Sequence, residues 1–183
     1  MRRHFLKLLA ACAALACLGA TAPGGIWLDV PFVRQPENGC GAACIVMVTR
    51  YWLGKDPHLH CAVPGVQSIQ NALYHPRARG IFASEMAGYL QQEGFQIFTF
   101  HGAWNDLAEH LAKGRPLIVC LREPGMGHPL HYVVVVGLDA NRSLVLVNDP
   151  ARRKLALLGR AGFERQWTAA HNWTLLAVPR SGK

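Results

Sequence analysis

At 183 residues, 51% of them apolar and 16% charged, the chain is long enough for one domain with a substantial core and too apolar for a disordered segment. It has no internal repeat or low-complexity stretch, which excludes solenoid and fibrous classes. The formal charge of +8 falls to +5 once residues 1–22, with Arg2, Arg3 and Lys7, are set aside; the remaining basic residues are dispersed without interleaved aromatics, which argues against a nucleic-acid surface.

Met1–Lys7 is basic, Leu8–Gly19 is apolar and Ala20-Thr21-Ala22 is small, a pattern that predicts a secretory signal peptide over residues 1–22. Ala14-Leu15-Ala16-Cys17 resembles a bacterial lipobox, so lipidation at Cys17 is the alternative to cleavage after Ala22. The apolar stretch is short for a membrane span, and no second run of about 20 apolar residues follows. The expectation is an exported protein of the periplasm or cell envelope, released or lipid-anchored, with a single domain over residues 26–180.

Along that domain, Trp27–Val33 alternates as an edge strand interrupted by Pro31. The turn-rich Arg34–Gly39 loop then opens onto the small, apolar segment Cys40–Trp52, read as a buried helix with Cys40 at its start and Gly54 at its end. Two more helices are predicted: one from Ser84 as N-cap to Gly94, and one around Trp104, Leu107 and Leu111 to Gly114. From Leu117 the pattern turns to strands: Leu117–Leu121, His131–Gly137, a turn at Asp139–Arg142, Ser143–Val147 and Lys154–Leu158. Phe163 and Trp167 mark a helix, and Trp173–Val178 a closing strand. The fold class is α+β, with N-terminal helices packed on a C-terminal antiparallel sheet.

The chemistry follows from three of these positions. A cysteine in the first turn of a helix has its thiolate stabilised by unpaired backbone N–H groups and the positive end of the dipole, which makes Cys40 the candidate nucleophile. His131, at the entrance of a Val-rich strand, is the candidate base, and the Asn148-Asp149-Pro150 end of the partner strand returns beside it. Asp149 is preferred as the group that orients the imidazole, with Asn148 as alternate. Gln35, five residues before Cys40, is the candidate side-chain donor of an oxyanion hole whose other donor is the Cys40 N–H.

Gln35-Pro36-Glu37-Asn38-Gly39-Cys40-Gly41-Ala42-Ala43, His131-Tyr132-Val133-Val134-Val135-Val136-Gly137 and Asn148-Asp149-Pro150 together resemble the double-glycine peptidase family. These are papain-like domains, best known from bacteriocin and peptide-pheromone exporters, with stand-alone exported forms. The resemblance spans roughly Val30 to Val178 and implies a papain-like cysteine peptidase fold in which Gln35, Cys40, His131 and Asp149 are oxyanion donor, nucleophile, base and orienter. It implies no cofactor and no metal, a peptide or protein substrate, and a monomer. One departure limits the substrate: exporter-linked members often carry Asp before the cysteine and one more residue between Gln and Cys, whereas Gly39 stands here. Cleavage after a double glycine does not carry over, and a general envelope peptidase or amidase is expected. A catalytically degenerate peptide-binding module and a papain-like acyl transferase are the rival readings.

Cys44 reads as a small core residue, Cys61 and Cys120 as a disulfide left open, and the tryptophans as packing. His58-x-His60-Cys61 lacks the spaced partner pair that a zinc site needs.

Overall fold

The computed structural model describes residues 25–180 apart from 57, 60, 63, 64, 126 and 128. The expected signal segment, Cys17 included, lies outside the described residues, as does His60. In chain order the elements are β1 (Gly25–Trp27), α1 (Cys40–Lys55), α2 (Val66–Leu73), α3 (Ala83–Gln92), β2 (Phe95–His101), α4 (Trp104–Ala112), β3 (Leu117–Leu121), β4 (His131–Asp139), β5 (Leu144–Asp149), β6 (Arg153–Gly159), α5 (Arg160–Thr168) and β7 (Trp173–Pro179). The strands form one seven-stranded antiparallel sheet in the order β2-β7-β3-β4-β5-β6, with β1 pairing β4 beyond the end of β3. This is the α+β arrangement expected.

The valine run of β4 is explained by what covers it. Tyr132, Val134 and Val136 enter a core shared with α1, whereas Val133 and Val135 enter a second core shared with α4 and α5. With helices on both faces, neither side of the strand meets water, so the apolar run is continuous instead of alternating. Helix α1 is likewise enclosed and buries every residue from Gly41 to Thr49. Burying Ile45, Val46, Met47 and Val48 contributes about 1.5–3 kcal/mol for each large side chain. Its two polar aromatics are satisfied: Tyr51 Oη donates to the Gly114 carbonyl at 2.8 Å and Trp52 Nε1 to the Ala177 carbonyl at 2.9 Å.

Three expectations need correction. The Trp27–Val33 strand shrinks to its first residue: Leu28 N–H still reaches the Val136 carbonyl at 2.8 Å, but the chain then leaves the sheet ahead of Pro31, which has no N–H to give. Helix α3 begins at Ala83, so Ser84 lies inside its first turn; Glu85 Oε2 accepts from the Phe82 N–H at 3.3 Å in place of a Ser84 cap. Helix α2 and strand β2 are further elements, and β2 makes the sheet more than a C-terminal structure.

Gly137 lets β1 dock. A Cβ there would lie 2.5 Å from the Ile26 carbonyl oxygen, and the β4/β5 register shifts between Val135 and Gly137. The irregular segment between β1 and α1 is then tied to the β5–β6 end of the sheet. Asn148 Nδ2 donates to the Val30 carbonyl at 3.0 Å, the Gln35 N–H to the Pro150 carbonyl at 3.0 Å, and Lys154 Nζ pairs with Asp29 at 2.8 Å. These ties bring the start of α1 over the start of β4.

Candidate active site

Cys40 opens α1, and the helical ladder starts with the Ala43 N–H donating to the Gly39 carbonyl at 3.0 Å. The N–H groups of Cys40, Gly41 and Ala42 precede that ladder, and no side chain caps them. The sulfur therefore sits where a helix most favours negative charge.

The turn before Cys40 is built tightly. Asn38 adopts φ +57°, and the Gln70 amide of α2 donates to the Glu37 carbonyl at 2.6 Å. A Cβ on Gly39 would lie 2.6 Å from Gln70 Oε1 and 2.7 Å from Pro36 Cδ, so glycine is the residue that fits. Gly39→Ala is expected to cost about 1–3 kcal/mol of stability, read from urea unfolding midpoints. A midpoint equal to that of wild type would remove this account of the turn.

His131 lies at the mouth of a cavity of about 550 Å³ that Cys40, Gln35 and Tyr132 also line. Its Nε2 donates to Asp149 Oδ1 at 2.8 Å. Cys40 lies near enough to the same ring to raise its proton affinity, and Nδ1 is the nitrogen that Asp149 leaves free. Asp149 is held in turn: Oδ1 also accepts the Ala151 N–H at 3.0 Å, and Arg152 Nε stands 3.5 Å from Oδ2. Asn148, the alternate orienter, is fully buried and committed elsewhere, donating to Val30 and accepting the Leu155 N–H at 3.0 Å. Of the two neighbours, Asp149 is the one that faces the ring.

Burial by itself would lower the proton affinity of His131, but the hydrogen bond to Asp149 and the nearby Cys40 sulfur outweigh it and push the pKa up to about 9. For Asp149, burial favours the neutral acid, and the bond to His131 outweighs it, so the carboxyl is held below its ordinary 3.8. The two shifts describe one pair, an imidazolium against a carboxylate. A raised histidine pKa stabilises the fold fully below its ordinary 6.5, and that contribution is lost as pH rises toward 9. Thermal unfolding midpoints are thus expected to fall between pH 6.5 and 9, and His131→Ala to flatten that slope. An equal slope in the variant would contradict the assignment.

Gln35 is half-buried on the cavity wall, with Oε1 turned into the protein, where it has no partner among the described residues, and Nε2 as the end left for the cleft. Gln35, Cys40 and His131 thus line one cavity, and Asp149 stands behind His131, bonded to its ring and lining a neighbouring cavity. Sequence reasoning missed Gln70 and Arg152 at the site, and weighed Cys120 only as a disulfide partner. Cys120 lies next to the site, where the His131 backbone N–H faces its sulfur, and burial pushes its thiol up to about 12.

Cys44 is buried as expected, and burial raises its thiol well above the ordinary value. Cys61 and Cys120 are both free thiols. Among the described residues no group of three or more His, Cys, Asp or Glu is arranged to hold a metal, and no helix is long and apolar enough to cross a membrane.

Residues 27–174 match the model of the Peptidase_C39 like family. Among solved structures, a Bacillus anthracis protein described as a C39-like peptidase is similar with a TM-score of 0.67 at 16% identity, over 86% of this chain and 99% of that one. The peptidase domain of Streptococcus ComA, a bifunctional ABC transporter of a quorum-sensing pathway, is similar with a TM-score of 0.64 at 18% identity, over 81% of this chain and 98% of that one. A double-glycine-motif protease from an AMS/PCAT transporter, solved with a leader peptide, has a TM-score of 0.60 at 20% identity, over 84% of this chain and 94% of that one. No curated protein sequence matches. The shared fold is papain-like, and the match over residues 27–174 establishes that the chain belongs to the Peptidase_C39-like family as a cysteine peptidase.

Proposed function

We propose that this chain hydrolyses peptide bonds in the cell envelope through a Cys40–His131–Asp149 triad with Gln35 as oxyanion donor. The observation that carries the reading is that His131 hydrogen-bonds Asp149 at 2.8 Å and lines one cavity together with Cys40 and Gln35. Export rests on the Met1–Ala22 pattern, and a peptide substrate on the leader peptide bound by the transporter-linked relative.

In this mechanism the Cys40 thiolate attacks the carbonyl carbon, and the oxygen gains charge near the Cys40 N–H and Gln35 Nε2. The carbon–nitrogen bond breaks as the His131 imidazolium gives its proton to the departing amine, leaving a thioester and a neutral ring. Water then loses a proton to His131 and attacks the thioester, releasing the carboxylic acid and restoring the thiolate–imidazolium pair. Asp149 keeps one tautomer and one ring orientation through both halves.

Gln35→Ala is expected to lower kcat by about 10²–10³-fold with little change in KM, because the donor acts on charge that exists only in the transition state. An unchanged kcat would remove Gln35 from the mechanism. The overall function is tested by incubating wild-type and Cys40→Ala protein with a proteome-derived peptide library and reading new termini by mass spectrometry. Cuts made by wild type and absent from Cys40→Ala are expected. An uncut library from folded wild-type protein would return the chain to the binding-module reading.

A further inference from the structure

We infer that the catalytic cleft selects acidic peptides, through Arg77 and Arg79 on the turn that forms one of its walls. The inference rests on the peptidase reading of the Cys40 site and adds a substrate class to it.

The wall is the segment between α2 and α3. His75 and Gly80 bridge its ends, with the His75 N–H donating to the Gly80 carbonyl at 2.8 Å. Inside the bridge the Ala78 N–H donates to the His75 carbonyl at 3.0 Å and the Arg79 N–H to the Pro76 carbonyl at 3.1 Å. The turn is thus closed by its own backbone, and Arg79 completes it at φ +47°. Buried Ile81 then fixes the turn against the start of α1: a Cβ on Gly41, the residue after the nucleophile, would lie 3.3 Å from Ile81 Cβ. Arg79 is two residues from Ile81, at most about 7 Å along even a fully extended chain, so its backbone is held close to that helix start.

Both arginines are exposed and line the cavity that Gln35, Cys40 and His131 line, and no Asp or Glu lines it with them. The nearby carboxylates are engaged or placed elsewhere. Glu85 accepts from the Phe82 N–H at 3.3 Å, Glu37 lines a separate cavity beside Gln70, and Asp149 is bonded to His131 from behind. Arg142, Arg152 and Arg160 stand 3.7, 3.5 and 3.0 Å from a carboxylate, whereas neither Arg77 nor Arg79 is in an ion pair among the described residues. The space that a substrate must enter therefore carries a positive potential that no protein carboxylate cancels.

A guanidinium presents a planar fork of N–H donors that matches a carboxylate, so Glu and Asp side chains are the groups that gain most here. The arginines lie on the wall of a concave cleft that holds the nucleophile, which favours a peptide chain threaded into it over a flat lipid surface. Exposed ion pairs are individually weak, and two of them together correspond to a preference of about 3–10-fold for Glu over Gln. Charges at a rim act on encounter and binding, so the preference falls on KM and weakens with salt.

The test measures binding to Cys40→Ala protein by fluorescence anisotropy, using three pools of rhodamine-labelled random octapeptides that differ only in carrying two Glu, two Gln or two Lys. Expected is binding of the Glu pool about 3–10-fold tighter than the Gln pool at about 20 mM salt, the Lys pool weakest, and the difference gone at about 500 mM. Cys40→Ala/Arg77→Glu/Arg79→Glu should invert the order, which loss of folding cannot do. Cleavage of matched peptides by wild type should follow the wild-type order in KM. Equal binding of the three pools, or an unchanged order in the charge-reversed protein, would overturn the inference. So would binding to phosphatidylglycerol vesicles that charge reversal abolishes while the three pools bind alike, since that assigns the arginines to a lipid surface. An acidic preference in binding without Cys40-dependent cleavage by wild type would instead overturn the peptidase reading and leave the charge selection standing.

Discussion

His131→Ala is expected to reduce kcat/KM for peptide cleavage by about 10³–10⁴-fold, with far-ultraviolet circular dichroism unchanged. General acid–base catalysis by a positioned side chain supplies roughly 10²–10⁴-fold, and this ring is proposed to act in both half-reactions. It stabilises the thiolate, protonates the leaving amine and then activates water, so no other group covers the loss. The nearby sulfurs do not substitute, because burial holds the Cys44 and Cys120 thiols up in the neutral form. Since the proposed residues act as a unit, the combined Cys40→Ala/His131→Ala protein should be little worse than Cys40→Ala alone. A loss under tenfold in His131→Ala would take the ring out of the reaction.

Asp149 should show a graded response. Its Oδ1 accepts from both His131 Nε2 and the Ala151 N–H, so it fixes the ring and the turn that follows β5. Asp149→Ala removes the acceptor and the charge, and a fall in kcat of about 10²–10⁴-fold is expected. Asp149→Asn keeps a carbonyl oxygen for the ring and loses only the charge, so its deficit should be smaller. The basic limb of the pH–rate profile, near 9 for wild type because His131 must remain protonated, should move to lower pH in both variants. A limb that stays at the wild-type position would show that Asp149 does not act on the ring. Asn148 gives a contrast: it is buried and bonded to Val30 and Leu155, so Asn148→Ala should lower the unfolding midpoint through an unsatisfied Val30 carbonyl and Leu155 N–H.

Much of this site was legible in the sequence because its parts carry strong local signals. A small-residue helix opening on Cys40, a valine run opening on His131 and an Asp-Pro stop after the paired strand each mark an element end, and antiparallel pairing links the last two. Asp149 was preferred over Asn148 in the sequence on the chemistry of a carboxylate, while the facing of the two adjacent residues came only from the structure. The unread elements had weaker signals. Helix α2 has eight residues, of which Ile69 and Gln70 are buried, and β2 is an edge strand that buries only Phe95 fully. Missing α2 also hid Gln70, whose value comes from the space left by Gly39, a contact across 31 positions that no local pattern announces. The overextended strand at Trp27–Val33 arose because alternation persists past the point where hydrogen-bonding partners end.

The pairing of the Cys40 thiol with the His131 ring is tested most directly by iodoacetamide alkylation across pH 5–10, with the modified residue identified by mass spectrometry in wild type and His131→Ala. Wild-type protein should label at Cys40 ahead of Cys44, Cys61 and Cys120, whose thiols burial holds neutral. His131→Ala should lose that preference for Cys40. Equal rate profiles for the two proteins, or labelling led by another cysteine, would contradict the pairing.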